Sequence, residues 1–164
     1  YGNSLYEIRL FGKGEEQGGV TEPEQPTQPA EPDTPDGNLA LNKEVSSSAP
    51  EGENVVAANA FDGDEGTRWS SNFADDAWIA VDLGKTYAVS KVVLNWEGAY
   101  GESYKIQTST DGKNWTTVKD LINQDGGEDT ITFNAVNARY VRMQGVTRAL
   151  PYGYSLWEMS VYTK

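Results

Sequence analysis

The stretch NAFDGDEGT, residues 59–67, gathers oxygen donors of the kind that hold a hard cation. Asp62 and Asp64 offer carboxylates and Thr67 a hydroxyl, while Gly63 and Gly66 let the backbone fold around a small centre. Such donors suit Ca²⁺ rather than zinc. The chain contains no Cys and no His, so thiolate and imidazole ligands are excluded, and so is the commonest general base. The loop is not an EF-hand, because it lacks that motif's third acid before Gly and its terminal Glu. The other reading of the same residues is an Asp-Gly turn with solvated acids. Two further acids stand beside aromatic or turn-rich sequence: Glu51 in SSSAPEGENVV and Glu97, directly after Trp96, in NWEGAYGESY.

The elements that must position these groups are short strands. Trp, Tyr, Val and Thr are plentiful and no long stretch carries apolar residues at helical spacing. AWIAVDLG at 77–84 alternates apolar and polar, SKVVLNWEG at 90–98 follows, and Asp111-Gly112 inside YKIQTSTDGKNWTTVKD marks a tight hairpin. DTITFNAVNARYVRMQG and YSLWEMSVYTK supply the closing strands. Strands at this spacing without intervening helices predict an antiparallel sandwich.

Charge and composition narrow the function classes. The net charge is −12, with seven acids and no Lys or Arg in residues 14–37, +1 in residues 1–13 and about −6 in residues 38–164. An acidic domain of this kind is a poor partner for nucleic acid or for anionic lipid, both of which demand clustered Lys and Arg. No run approaches eighteen apolar residues and no signal-peptide pattern is present, so any export address would lie upstream of Tyr1.

Residues 14–37, GEEQGGVTEPEQPTQPAEPDTPDG, place prolines at 23, 26, 29, 32 and 35, one per turn of a polyproline II helix. With its mutually repelling acids this segment is expected to act as a semi-rigid spacer, the other reading being a docking peptide for a proline-recognising partner. The first thirteen residues, YGNSLYEIRLFGK, match the last thirteen, YGYSLWEMSVYTK, at six positions. The expected organisation is therefore the last strand of a preceding similar module at 1–13, a linker at 14–37, and one whole module at 38–164.

NLALNK, AFDGDEGTRWSS, WIAVDLG, YKIQTSTDGKNWTTV, ARYVRM and SLWEMSVY occur in the order expected for the discoidin domain, also called the coagulation factor V/VIII C-type domain. Within that superfamily the chain most resembles bacterial family 32 carbohydrate-binding modules, such as those appended to chitosanases or glucanases. The resemblance implies an all-β, eight-stranded antiparallel jelly-roll sandwich, a structural Ca²⁺, and sugar held by loops at one end. It implies a metal shell formed by the carbonyl of Asn59, Asp62, Asp64, the carbonyl and hydroxyl of Thr67, the carbonyl of Trp157, and Glu158. It also implies a secreted bacterial protein with a tandem module and a catalytic domain elsewhere in the full chain.

Carbohydrate recognition joins an aromatic face to a few polar side chains. Arg68 matches a position that often contacts sugar in the family; otherwise it is a surface ion-pair residue. Phe73, a large apolar side chain in the polar loop SSNFADDAW, covers a ligand or packs under its own loop. Trp157 stands where many relatives carry a small residue, which makes it a candidate platform beside Arg68 or an ordinary core residue. By the family layout Glu51 and Glu97 share the rim with Arg68, and carboxylates around an aromatic floor suit the ammonium of an amine-bearing sugar, as in chitosan. Neutral β-1,3-glucan or galactose-type ligands, or an adhesion module for protein or lipid, are the alternatives. Glycosidases also use paired carboxylates, but nothing else in the chain resembles a hydrolase, and the expectation is a binding module with no catalysis.

Overall fold

The computed structural model describes residues 37–164, all within one compact unit. The expected stub at 1–13 and the spacer at 14–37, Gly37 apart, lie outside the described residues. Seven strands run in the order β1 (Glu44–Ser47), β2 (Trp69–Ser70), β3 (Trp78–Trp96), β4 (Gly101–Ser109), β5 (Thr116–Leu121), β6 (Glu128–Arg148) and β7 (Ser155–Tyr162). A single 3-10 turn at Ala57–Ala60 is the helical element among them. No helix of the described residues is long and apolar enough to cross a membrane.

All pairings are antiparallel, and the chain forms a jelly roll around two long strands. β3 and β6 pair from Trp78↔Gln144 to Asn95↔Glu128, with register shifts between Asp82 and Tyr87 and between Val89 and Lys91. Those irregularities divide the ribbon between two layers, since bulges bend a strand and sharpen its twist. The first half of β3 pairs with β1, and the facing half of β6 pairs with β4, which carries β5. The second half of β3 pairs with β7, which carries β2. The all-β antiparallel jelly roll is as expected; the stretches read as two strands at 77–84 and 90–98 are continuous, with 78–84 and 90–96 in one 19-residue strand that serves both layers. Gly84, at φ 89, occupies the bulge, and its amide donates to the Asp82 carboxylate at 2.8 Å.

The core lies between the layers. Ile79, Val81, Leu83, Val92 and Leu94 of β3, Val141 and Met143 of β6, Ile106 of β4 and Leu156, Met159 and Val161 of β7 are all buried, with Trp69, Tyr104 and Tyr154 among the largest. Alternation with exposed or half-buried neighbours is the period-two pattern of strands that bury one face. The start of the module closes against its end: the Leu39 amide donates to the Val161 carbonyl at 2.8 Å, and Asn38 Oδ1 accepts from the Val161 amide at 3.1 Å.

The Asp111-Gly112 hairpin is present, but its connection runs from residue 110 to 115 rather than over two residues. Asp111 explains the longer loop. Its Oδ1 accepts from the amides of Lys113 and Asn114 at 2.8 Å and its Oδ2 from the Asn114 side chain at 2.7 Å, so the side chain organises the turn that backbone pairing would otherwise close. These bonds hold its carboxyl far below the usual carboxylate range.

Candidate functional site

At one end of the sandwich a hollow of about 320 Å³ is bounded by Glu51, Arg68, Ser70, Glu97, Leu150 and Tyr152. These residues come from four separate stretches of chain, and one short strand pair aligns them. β2 and β7 pair through Trp69↔Leu156 and Ser70↔Ser155. The Ser70 carbonyl accepts the Glu51 amide at 2.8 Å, and the Ser70 hydroxyl donates to Glu51 Oε2 at 2.7 Å. Across the pair, the Ser155 hydroxyl accepts Arg68 Nη1 at 2.9 Å, while the Ser155 carbonyl accepts the Glu97 amide at 2.9 Å. The Ser155 amide donates to the Ala99 carbonyl at 2.8 Å, closing the 97–99 loop onto β7. A register slip of one residue there would turn Ser70 and Ser155 to the opposite face and disperse all three charged groups.

Glu97 has a further anchor one residue upstream. The Trp96 indole N–H donates to Asp129 Oδ2 at 2.8 Å, and the Tyr104 hydroxyl donates to the same oxygen. The ring of Trp96 stands edge-on to Tyr104 with centroids 5.3 Å apart. Strand β3 therefore ends rigidly just before the carboxylate it presents.

The aromatic wall comes from the 149–153 loop. Tyr152 is 60% exposed, and Phe73, 56% exposed, meets it edge-on with centroids 6.3 Å apart. Arg148 ties this loop to the Phe73 loop: its Nε donates to Asp75 Oδ1 at 2.8 Å and its Nη1 to the Tyr152 carbonyl at 3.4 Å. The Arg148 guanidinium beside Asp75 holds that carboxyl below the usual carboxylate range. Gly153 lets the loop lie against β2, because a Cβ there would stand 2.0 Å from the Ser71 carbonyl oxygen.

Electrostatically, the hollow is set for a cation. Glu51 is exposed and Glu97 half-buried, and neither forms an ion pair among the described residues. Arg68 is engaged with Ser155 rather than with either acid.

The 59–67 loop lies immediately before Arg68. The Thr67 hydroxyl, with one proton, sits near three acceptor oxygens: Asp62 Oδ2 at 2.7 Å, the Asp64 carbonyl at 3.0 Å and the Asn59 carbonyl at 3.4 Å. From β7, Glu158 Oε1 accepts the Gly63 amide at 2.9 Å. Partial burial and the neighbouring Asp62 carboxylate push the Glu158 carboxyl up to about 7. Burial also acts against the charge of Asp62, yet its bonds from Thr67 and the Asp64 amide hold that carboxyl below its ordinary value. Converging oxygens with too few protons to satisfy them fit a hard cation. Among the described residues no group of three or more Asp, Glu, His or Cys side chains is placed to hold a metal ion; the oxygens gathered at this loop are the Asp62 and Glu158 carboxylates, the Thr67 hydroxyl and the carbonyls of Asn59 and Asp64. The Asp64 side chain instead accepts the Gly66 amide at 2.8 Å, and Asn59 Nδ2 donates to the carbonyls of Asn54 and Arg68, each at 3.0 Å.

A family model, the F5/8 type C domain, matches residues 43–159. The chain belongs to that family. A search of curated proteins finds the polysaccharide lyase 8 family protein HylA of Enterococcus faecalis, 37% identical over 119 residues that make up 65% of this chain and 9% of that protein. Among solved structures, chitosan-binding module 1 of a chitosanase/glucanase from Paenibacillus sp. IK-5 is 52% identical, with a TM-score of 0.74, covering 76% of this chain and 98% of that one. Module 2 of the same enzyme, solved with chitotriose, is 48% identical, with a TM-score of 0.75, covering 76% and 99%.

Within this F5/8 type C domain, the residues singled out from sequence divide clearly. Glu51, Arg68 and Glu97 share one hollow, and Phe73 reaches it through Tyr152. Trp157 does not line the hollow. It is the extra residue where β3 and β7 shift register, between Glu158 opposite Asn95 and Leu156 opposite Trp96, and it is half-buried. The aromatic at the rim is Tyr152, which the sequence reading passed over together with Ser70 and Ser155. One signal was available for it: Tyr1 and Tyr152 are among the six identities between the two ends of the chain.

Proposed function

We propose that residues 38–164 form a non-catalytic carbohydrate-binding module that holds amine-bearing saccharide, chitosan in the first place, in the hollow bounded by Glu51, Arg68, Glu97 and Tyr152. The observation that carries this reading is the pair of carboxylates without a cationic partner, set beside an exposed tyrosine ring. An ammonium on the sugar gains charge-assisted hydrogen bonds from Glu51 and Glu97 that a hydroxyl does not match. Tyr152 offers its face to the ring, and Arg68, fixed by Ser155, donates to hydroxyls. The two Paenibacillus modules, similar over nearly their whole length, support the choice of ligand.

In the full-length protein the module would keep an attached secreted glycoside hydrolase close to insoluble substrate, and a second such module on the same chain would raise the effective concentration further. Asp62, Glu158, the Thr67 hydroxyl and the carbonyls of Asn59 and Asp64 would hold Ca²⁺. The ion's part is structural, fastening the 59–67 loop to β7 just ahead of Arg68.

The test is a titration of the protein with glucosamine, N-acetylglucosamine and β-1,3-glucan oligomers, followed by amide shifts. Glucosamine oligomers are expected to bind, more weakly as salt rises, and to move the signals of residues 51, 68, 97 and 152. Binding of the other two series alone would overturn the cationic ligand and keep a carbohydrate-binding module of different preference.

A further inference from the structure

A second hollow, of about 340 Å³, lies on the outer face of the layer formed by β1, β3, β6 and β4, away from the loops just described. Its floor is built by register. Ser46, Ala80, Arg142 and Gln107 are successive partners across the four strands. Buried Ile79, Val81, Val141 and Met143 alternate with them and face the core. Ala80 is small, so the surface dips between Trp78 and Asp82 on its own strand, and Trp115 from the 110–115 loop forms a wall. At one end stand two acids, exposed Glu44 and its cross-strand partner Asp82; Asp82 is already neutralised, accepting from Arg139 Nε at 2.8 Å and Nη2 at 2.9 Å.

Arg142 is not neutralised. Its guanidinium carbon lies 4.2 Å from the centre of the Trp115 ring and 5.8 Å from that of Trp78. Its Nε and Nη2 both donate to Gln107 Oε1, at 3.0 and 2.7 Å, and no acid of the described residues lies within ion-pair distance. Burial lowers its pKa from the ordinary arginine value, the mark of a cation partly stripped of water. One edge of the guanidinium is thus spent on an amide carbonyl, and the Nη1 edge has no partner among the described residues. A carboxylate is the group whose geometry matches a planar, partly desolvated guanidinium.

We propose that this face is a second saccharide site, distinct from the rim, that takes a uronate residue of an acidic polysaccharide, its carboxylate on Arg142 and its ring against the Trp78 and Trp115 walls. A hollow of this size falls near the lower end of ligand pockets, about 300–1,000 Å³, which suits one or two sugar rings. A peptide is the poorer occupant. Peptides that bind sheets gain backbone hydrogen bonds at a free edge, whereas Ala80 and Arg142, at the middle of this floor, lie on β3 and β6, each paired on both sides there.

The experiment is a titration of the whole 164-residue chain with trigalacturonate, reading the indole N–H signals of Trp78 and Trp115, beside the same titration with galactose trimers and glucosamine trimers. Trigalacturonate should shift both indoles, and Arg142→Gln should weaken that binding at least tenfold while leaving glucosamine binding intact. Trp115→Leu serves as a second variant, and an unchanged melting temperature establishes that each variant is folded. Unmoved indoles, shifts that persist in Arg142→Gln, or equal shifts from the neutral trimer would each overturn the proposal.

Discussion

The rim hollow and the sheet-face hollow are close in volume, about 320 and 340 Å³, and opposite in what they leave unpaired. The rim presents two carboxylates that form no ion pair, with Arg68 turned to Ser155; the sheet face presents a guanidinium that forms none, with Glu44 and Asp82 at one end of its hollow. They are also built differently. The rim assembles loops whose positions depend on a two-residue strand pair and on side-chain bonds to Ser70 and Ser155. The floor of the sheet face needs only strand register, because Ala80, Arg142 and Gln107 are adjacent wherever β3, β6 and β4 are in step, and a single wall, Trp115, comes from a loop. A loop-built site should therefore be sensitive to perturbations that leave a strand-built one intact.

The largest expected separation comes from the cation. With Ca²⁺ at about 1,000 times its dissociation constant, linkage predicts about 4 kcal/mol of stabilisation. Chelation should lower the melting temperature accordingly and raise hydrogen exchange at 59–70 and 155–158 more than at Trp78 or Arg142. A melting temperature indifferent to Ca²⁺ would remove the metal from the account.

Gly153→Ala comes next. The new methyl would meet the Ser71 carbonyl at 2.0 Å, and relieving that clash at the upper end of overpacking costs about 3 kcal/mol. Urea denaturation should show the loss, and calorimetric binding of glucosamine oligomers should weaken with it because Tyr152 is displaced. Unchanged stability and binding would mean that the 149–153 loop is not held as described.

Glu51→Gln and Glu97→Gln keep shape and remove charge. Each is expected to weaken glucosamine-trimer binding about tenfold, or about 1.4 kcal/mol, near the lower end for a hydrogen bond to a charged group. Trigalacturonate binding should not weaken. Isothermal titration that finds the same affinity in both variants would sink the role given to the carboxylates.

Phe73→Ala should have the smallest effect. Loss of one edge-on aromatic contact corresponds to about 0.5–1.5 kcal/mol, seen as a faster dissociation rate at the rim and no change in Trp78 or Trp115 signals.

How much of this was legible beforehand varies with the range of the interaction responsible. Asp62, Asp64 and Thr67 lie within six residues, so glycine turns and gathered oxygen donors were visible directly, while the turn of the Asp64 side chain to the Gly66 amide was not. The alternation through 77–84 and 90–98 located strands correctly and missed that they are one, because a bulge interrupts the pattern without breaking the hydrogen-bonded ribbon. Asp111-Gly112 marked a hairpin, while the competing bonds of the Asp111 side chain lengthened its loop. Trp157 looked like a rim platform by its position in the chain. The register shift opposite Asn95 and Trp96, invisible in a linear string, left it out of the hollow and gave that place to Tyr152.

The amino-acid sequence alone determined the all-β class, the jelly-roll order of motifs and the local glycine turns of the 59–67 loop, because these depend on side-chain type and on neighbours a few residues apart. The family resemblance led to the expectation that Glu51, Arg68 and Glu97 share a rim; the contacts that bring charged groups together were decided by the tertiary structure. Glu51, Arg68 and Glu97 converge through Ser70 opposite Ser155, and Arg142 comes within reach of the Trp78 ring, because cross-strand register brings together residues tens of positions apart. A shift of a single residue would have placed them on opposite faces.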